Sequence, residues 1–389
     1  MMRAGALQVQ SSRRIALVRE TRPDEARALL LPDEVRQLDE ASLEVLVERG
    51  LGERAGVSDE SYRAAGAQLV SRDQAWGTSR LVAKYKAPTA QEYRFLRPDM
   101  TLAAFLHAEG EPGLAAELCA AGTTAYSYEL FRGSDGNFPI SVVNSEISGK
   151  LAVLYGAYHL QCHLGGSGVL LADVAGVKPA RVVVIGHGNA GGAAARTALA
   201  LGADVVVLGT STERLRRFQG TVPSSVRCRL SSPEAVAQEV PQADLVIGAI
   251  LISTLETPPV VPASLVARMR RGSVIVDVTC GYGPGYLPTF DRCTTQSEPM
   301  FERHGVLHCK LDGMPAAVPR TATAAFSPHL APYLVDLARD VYEGVPDPTS
   351  RAGLVAHGGR LVHPEVIRVL DGARPQAPDA PDAPALAQA

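Results

Sequence analysis

Three cationic features in the first third of the chain could together handle a small acid. Arg27 lies between Ala26 and the apolar run Ala28–Leu31, Lys84 and Lys86 follow the strand-like Leu81-Val-Ala83, and His107 closes the apolar run Leu102–Leu106. Arginine can clamp a carboxylate with two parallel N–H groups. Lysine can polarise a carbonyl, and histidine can carry a proton near neutral pH. The set suits binding of an acid and redox chemistry at its carbon. Each residue alone also has an ordinary explanation: a satisfied core histidine, solvated strand-end lysines, a surface arginine. Spacing does not show that they converge.

A second pattern brings its own chemistry. The apolar strand Arg181-Val-Val-Val-Ile185 runs into Gly186-His-Gly188-Asn-Ala-Gly191, and a helix of small residues follows. In this arrangement Gly186 permits the tight turn, Gly188 lets a pyrophosphate approach the backbone, and Gly191 lets the helix pack closely on the strand. The helix N-terminus then offers free N–H groups and a positive dipole end to the phosphates. A further strand, Asp204-Val-Val-Val-Leu208, arrives at the spacing of a βαβ unit, so a dinucleotide site is expected. An NAD-preferring site usually carries an acidic residue at the end of that strand. Here the strand ends in Gly209-Thr210-Ser211-Thr212, with Glu213 and Arg214 next. A glycine leaves room for a 2′-phosphate, and hydroxyls with a nearby Arg can bind it. NADP(H) is therefore favoured, while NAD(H) stays open should Glu213 reach back to the ribose.

These side chains need two supporting units. From Arg14 to Pro139, strand-like and helical stretches alternate (Ser42–Glu48, Ser61–Ala67, Leu81–Lys86, Leu102–His107), as in an α/β unit with a parallel sheet. Ser145–Leu160 carries Ile147, Leu151, Leu154 and Tyr158 at helical spacing and predicts a long connecting helix. Further strands of the nucleotide unit are expected at Asp244–Ile250 and Ser273–Val278, and a helix around His329–Tyr342 that returns to the first unit. The predicted organisation is a discontinuous substrate domain (14–144 plus about 315–368), a dinucleotide-binding Rossmann domain (145–314) and a disordered Ala-Pro-Asp tail (370–389). The fold class is α/β: two Rossmann-like domains with parallel sheets around a central cleft.

Composition narrows the function classes. The chain has 389 residues and a formal net charge of −3, which gives no electrostatic case for nucleic acid or an anionic membrane. No apolar run approaches the ~20 residues needed to span a bilayer, and the N-terminus lacks the apolar core of a signal peptide. Cysteines stand singly at 119, 162, 228, 280, 293 and 309, with no C-x-x-C pair. That pattern predicts reduced thiols in a cytoplasmic enzyme, and neither a disulfide frame nor a metal site.

The ordered set of motifs resembles the alanine dehydrogenase and transhydrogenase α-subunit family, from about Arg14 to Leu337. It includes Leu81-Val-Ala-Lys-Tyr-Lys86-Ala-Pro, Phe105-Leu-His107, Tyr128-Glu129, Ser145-Glu-Ile-Ser-Gly149, the Gly186 loop, Ala243-Asp-Leu-Val-Ile-Gly248, Val274-Ile-Val-Asp277 and Met314-Pro-Ala-Ala-Val-Pro-Arg-Thr321. The resemblance implies reversible NAD(P)-dependent reductive amination of a 2-oxo acid in a homo-oligomer. It assigns substrate binding to Arg27 and Lys86, proton transfer to His107 and cofactor binding to Ser145, with Glu129 and Asp312 as further substrate-side candidates. The family's catalytic Asp, four residues beyond the position of Asp277, is Gly281 here. Its Asn before Met-Pro is Gly313, preceded by Asp312, and its cofactor-side Asp is Gly209. These departures imply a roomier pocket and a substrate other than alanine. They keep open an opine-type synthase, with Asp312 holding an amine co-substrate. They also leave a redox-neutral lyase or cyclodeaminase that recycles its cofactor, and a nucleotide-binding sensor without catalysis.

Overall fold

The computed structural model describes residues 13–250, 252–253, 258–281 and 285–372; of the disordered tail expected at 370–389, residues 370–372 instead close the helix Pro364–Gly372, and 373–389 lie outside the described residues. The first sheet opens with β1 (Arg14–Leu17), β2 (Glu44–Glu48), β3 (Gln68–Val70), β4 (Leu81–Lys86), β5 (Thr101–Phe105) and β6 (Thr124–Ser127). They lie in the order β3-β2-β1-β4-β5-β6, every neighbouring pair parallel. Continuous apolar runs such as Leu102–Leu106 suit strands covered on both faces, and β4 and β5 are buried along their whole length.

The second sheet draws on β7 (Arg181–Ile185), β8 (Asp204–Gly209), β9 (Arg227–Leu230) and β10 (Leu245–Gly248). After β11 (Ile252–Ser253) come β12 (Val274–Asp277), β13 (Cys280–Gly281), β14 (Phe301–Arg303) and β15 (Val306–Cys309). The order is β9-β8-β7-β10-β12-β15-β14, with β11 and β13 paired apart as a short parallel ribbon. This is the doubly wound dinucleotide-binding order, whose switch point falls between β7 and β10. The chain then returns to the first sheet with β16 (Leu354–His357), antiparallel on β6, and β17 (Arg360–Leu361). The fold class is thus the expected two-unit α/β arrangement. The sheets are mixed, however: each ends in an antiparallel hairpin strand that the sequence pattern did not signal.

Two long helices hold the units in register. The predicted connecting helix runs from Ser141 to His159, four residues earlier than its periodicity suggests. Its buried stripe is made of Gly149, Ala152, Val153 and Gly156, at helical i, i+3, i+4, i+7 spacing. A Cβ on Gly149 would lie 2.0 Å from the Ala190 carbonyl oxygen, and one on Gly156 2.5 Å from Leu245. Only glycine allows the helix to lie this close to the nucleotide unit. The expected helix at His329–Tyr342 begins ten residues earlier and spans Pro319–Glu343. Its buried Phe326, Leu330, Leu334 and Leu337 pack on the first sheet and outweigh the helix-breaking cost of Pro328 and Pro332.

Candidate active site

The glycine loop has the geometry of a phosphate cradle. Gly186 adopts φ +105°, and a Cβ there would meet the Ala249 carbonyl at 2.2 Å. A Cβ on Gly191 would meet the Gly186 carbonyl at 2.1 Å, so the helix Asn189–Ala200 sits directly on the turn. A Cβ on Gly188 would have no atom of the described residues beyond its chain neighbours within 4 Å. The loop is therefore tight where the chain turns and open where a pyrophosphate must approach, which is the arrangement that suits a dinucleotide. Ser145 is half-buried on the central helix, one turn before Gly149, whose backbone packs against Ala190 of the helix that follows this loop.

The end of β8 departs from the expectation. Instead of empty room beside Gly209, the structure places the His187 imidazole there. A Cβ on Gly209 would meet His187 Nδ1 at 2.7 Å and Cε1 at 2.8 Å. The ring lies edge-on to Phe218, 6.0 Å between centroids. Burial and the nearby Arg214 guanidinium lower the His187 pKa. Ser211 caps the helix Thr212–Gln219 by accepting the Arg214 N–H at 3.3 Å, Thr210 is exposed, and Glu213 is paired with Arg217 one turn along. Glu213 is thus turned along its own helix. His187 was not singled out from the sequence; its place inside Gly-x-Gly, followed by a glycine at the next strand end, is the signal that could have found it.

On the substrate side, Arg27 and Lys86 meet at Gly313, a residue with φ +70°. A Cβ there would lie 3.3 Å from Arg27 Nη2 and 3.6 Å from Lys86 Cε. Arg27 is buried and grips Glu25 through Nε and Nη2, at 2.7 and 2.5 Å. Its Nη1 reaches the Tyr85 hydroxyl at 3.2 Å and the Asn144 side chain at 3.4 Å, and the guanidinium stacks over the Tyr85 ring at 4.0 Å. Burial works against this charge, but Tyr85 and Glu25 outweigh it and raise the pKa. Lys86 Nζ donates to Asp312 Oδ1 at 3.1 Å. That contact joins the first sheet to the segment after β15. Crowding in the cleft tends to raise the Asp312 carboxyl, but Lys86, with help from His107 and Arg22, lowers it overall.

Lys84, two residues away, has a different role. Its side chain is fully buried, with Glu20 at 2.6 Å and Glu92 at 3.5 Å. Glu20 Oε1 also accepts the backbone N–H groups of Tyr85 and Lys86, at 2.8 and 2.9 Å. Lys84 is therefore a core ion pair and Lys86 a cleft residue. The two part because the register between β4 and β5 shifts between Ala83 and Lys86.

His107, two residues beyond β5, adopts the left-handed region, φ +46°, a conformation that costs energy in a non-glycine residue and is met mainly at sites that require it. Glu129 holds it there, accepting the His107 N–H at 2.7 Å and a short hydrogen bond from the Ser127 hydroxyl. The His107 Nδ1 stands 3.8 Å from Glu129 and 3.9 Å from Glu109. Burial and repulsion from Glu129 raise the Glu109 pKa, with His107 acting against them. Glu129, expected on the substrate, thus reaches the site through His107. The ligand atoms of His107, Glu109 and Glu129 lie within 4.8 Å of one another, a metal-capable grouping that spacing did not suggest. Gly281 pairs with Ser253 in the short ribbon, and residues 282–284 beyond it lie outside the described residues.

Residues 16–147 match the family domain described as "Alanine dehydrogenase/PNT, N-terminal domain", and residues 152–364 match the corresponding C-terminal domain. The chain belongs to the alanine dehydrogenase/PNT family. It is 37% identical to the alanine dehydrogenase of Mycolicibacterium smegmatis over 360 residues, covering 92% of this chain and 96% of that one. With the alanine dehydrogenase of Mycobacterium tuberculosis it shares 38% over 356 residues, 91% and 95% of the two chains. Among solved structures, an L-alanine dehydrogenase superposes with a TM-score of 0.84 at 38% identity, covering 92% of this chain and 99% of that one. A transhydrogenase from Sinorhizobium meliloti superposes at 0.71 with 22% identity, covering 90% and 99%, a likeness of fold. As an alanine dehydrogenase/PNT protein the chain is an amino-acid oxidoreductase working with a nicotinamide cofactor. No described helix is long and apolar enough to cross a membrane.

Proposed function

We propose that the protein interconverts a 2-oxo acid and its amino acid by reductive amination and oxidative deamination, at a site formed by Arg27, Lys86 and His107. The supporting observation is the meeting of Arg27 and Lys86 at Gly313, with Asp312 bridging to Lys86 across the cleft. Arg27 holds the substrate carboxylate; its fork on Glu25 fixes the guanidinium plane. Lys86 donates to the 2-oxo oxygen and polarises the carbonyl carbon. His107, held by Glu129, exchanges a proton with the substrate nitrogen or oxygen as amine replaces carbonyl. A dinucleotide whose pyrophosphate is held by the glycine loop would supply or accept the hydride through its nicotinamide, with Ser145 as a further cofactor-side residue. The protein's own contribution is to orient the carbon and move protons.

The cofactor in this proposal is NADP(H) in preference to NAD(H), because Gly209 offers no carboxylate and Glu213 is held by Arg217. The substrate is one larger than alanine. The support is in the sequence: Gly313 and Gly281 stand where the family resemblance implies an Asn and an Asp side chain. Asp312 already has Lys86 as its partner, which disfavours the opine-type reading in which it holds a second amine.

The test is oxidation of NADPH and of NADH with a graded series of 2-oxo acids, supplied with ammonium or with an amine-bearing amino acid. Turnover with ammonium, best for NADPH and an acid longer than pyruvate, is the expected result. Turnover only with the second amine makes the protein an opine-type synthase. No turnover in either mixture refutes the proposed reaction.

A further inference from the structure

His187 sits where dinucleotide-binding folds place the residue that distinguishes the two cofactors. In NAD-preferring members that residue is an Asp or Glu at the end of the second strand, on the ribose 2′-hydroxyl. Here the strand ends in Gly209, and the His187 ring covers it so closely that no Cβ would fit. A group able to carry positive charge has taken the place of one that carries negative charge. The two residues go together: His187 needs Gly209 beneath it, where a Cβ would meet the ring and also Leu215 Cδ1, at 2.9 Å.

The surroundings agree in sign. The charged groups on the elements packed round the ring are Glu213, Arg214, Arg216 and Arg217 on the helix Thr212–Gln219, and Arg196 on the helix after the glycine loop. Glu213 is engaged by Arg217. Arg196 lies over Gly192, whose Cβ would also touch Phe218. The Arg214 guanidinium is exposed and has no side-chain partner among the described residues. His187 likewise makes no hydrogen bond among the described residues, its one ring contact being Phe218. Among the described residues, burial and Arg214 are what act on the ring's charge, and no carboxylate does.

We propose that His187 and Arg214 together form the 2′-phosphate clamp of this enzyme, and that His187 takes up a proton as the phosphate binds. The clamp rests on the NADP(H) preference proposed above and gives it a mechanism. In the free protein, burial and Arg214 keep the imidazole neutral at pH 7. A phosphate dianion beside it reverses that balance by stabilising the imidazolium. The preference for the phosphorylated cofactor then weakens as pH rises. The phosphate's own second ionisation, near pH 6, works the other way by adding negative charge. A fall in preference between pH 6.5 and 8.5 must therefore come from the protein.

The decisive measurement is calorimetric titration of the full-length protein with 2′,5′-ADP and with 5′-AMP, which differ by the 2′-phosphate alone. Each is titrated in two buffers of different ionisation enthalpy at several pH values. The expected result is tighter binding of 2′,5′-ADP with net proton uptake, an advantage that shrinks by pH 8.5, and no uptake with 5′-AMP. In His187→Gln the uptake disappears and the 2′,5′-ADP advantage falls roughly tenfold or more, the scale of a lost hydrogen bond to a charged group. Retained 5′-AMP affinity in that variant shows an intact cradle. Arg214→Gln loses a similar factor but keeps the uptake. If intact protein binds both probes equally at every pH, the NADP(H) preference itself is wrong. If 2′,5′-ADP is preferred without proton uptake and His187→Gln changes nothing, the preference stands and the His187 clamp is overturned. A gain-of-function variant gives a second check: His187→Ala with Gly209→Asp must shift the preference towards 5′-AMP.

Discussion

Glu20 offers the sharpest test of how the first sheet aims Lys86. Its carboxylate has two duties: Oε2 neutralises the fully buried Lys84, and Oε1 ties down two successive backbone N–H groups at the irregular end of β4. Glu20→Gln keeps an acceptor for the backbone but removes the charge. Breaking a buried ion pair costs ~3–5 kcal/mol when nothing replaces the partner. Glu92, 3.5 Å from Lys84, still supplies a carboxylate, so the lower end, about 3 kcal/mol, is expected. Glu20→Ala also leaves the Tyr85 and Lys86 N–H groups without their acceptor. At about 1 kcal/mol each, the low end for an unsatisfied buried donor, that brings the total to about 5 kcal/mol. The assay is built into the chain. Trp76 is the single tryptophan, fully buried and stacked on Phe95 at 5.3 Å, so its fluorescence reports unfolding of the first-sheet unit. Urea titrations of the three proteins give the stabilities. Steady-state kinetics well below the transition then show whether Lys86 is still aimed, with kcat/KM falling further in Glu20→Ala than in Glu20→Gln. A Glu20→Gln cost below about 1 kcal/mol would refute the pairing argument. Equal kcat/KM in the two variants would refute the role of the backbone anchor.

Other consequences can be checked separately. His308 is fully buried, its Nδ1–H donating to the Val306 carbonyl and its Nε2 accepting from the Thr289 hydroxyl, both at 2.9 Å, and burial pushes its pKa down to about 4. A histidine depressed on folding binds fewer protons folded than unfolded, so its contribution is complete above pH ~6.5 and lost as pH falls towards 4. About 3 kcal/mol of stability should disappear across that window, and urea titrations at stepped pH should show a much flatter profile in His308→Gln. Gly149→Ala should drive the central helix off the Ala190 carbonyl, since its Cβ would lie 2.0 Å away. The expected outcome is a cost of about 1–3 kcal/mol and at least a tenfold weaker cofactor titration, followed by the fluorescence of the reduced nicotinamide. Lys86→Met should lower kcat/KM for the 2-oxo acid by roughly 10- to 150-fold through loss of a charged hydrogen bond. An unchanged value would remove Lys86 from the site.

The nucleotide half was the more legible part of the chain. Its strands are short apolar runs, its turn needs glycines at set positions, and both signals are local; the turn, the open approach and the close helix packing fall on Gly186, Gly188 and Gly191 as the spacing implied. What stayed hidden depends on contacts between distant segments. Asp312 finds Lys86 across 226 positions, and Asn144 reaches Tyr85 and Arg27 across 59 and 117. The edge strands β16 and β17 belong to a sheet whose other strands end more than 200 residues earlier, and no periodicity announces which edge they join. Glu25, two residues before Arg27, and Glu109, two residues after His107, were close enough to have been noticed.

Lys84 and Lys86 show why residue type and spacing were insufficient at the substrate site. In a regular strand, residues two apart project to the same face, so both lysines would enter the cleft or neither would. A cleft holding both would carry two adjacent positive charges, raising the cost of each and disturbing the amine chemistry proposed there. The structure avoids this with a register shift between Ala83 and Lys86. Lys84 turns into the core, where Glu20 and Glu92 neutralise it, and Lys86 alone reaches Asp312. The same Glu20 that neutralises Lys84 holds the N–H of Lys86. One carboxylate thus sorts two chemically identical side chains into a structural and a functional one. A strand pattern cannot reveal that, because the deciding residue lies more than sixty positions upstream in the loop after β1.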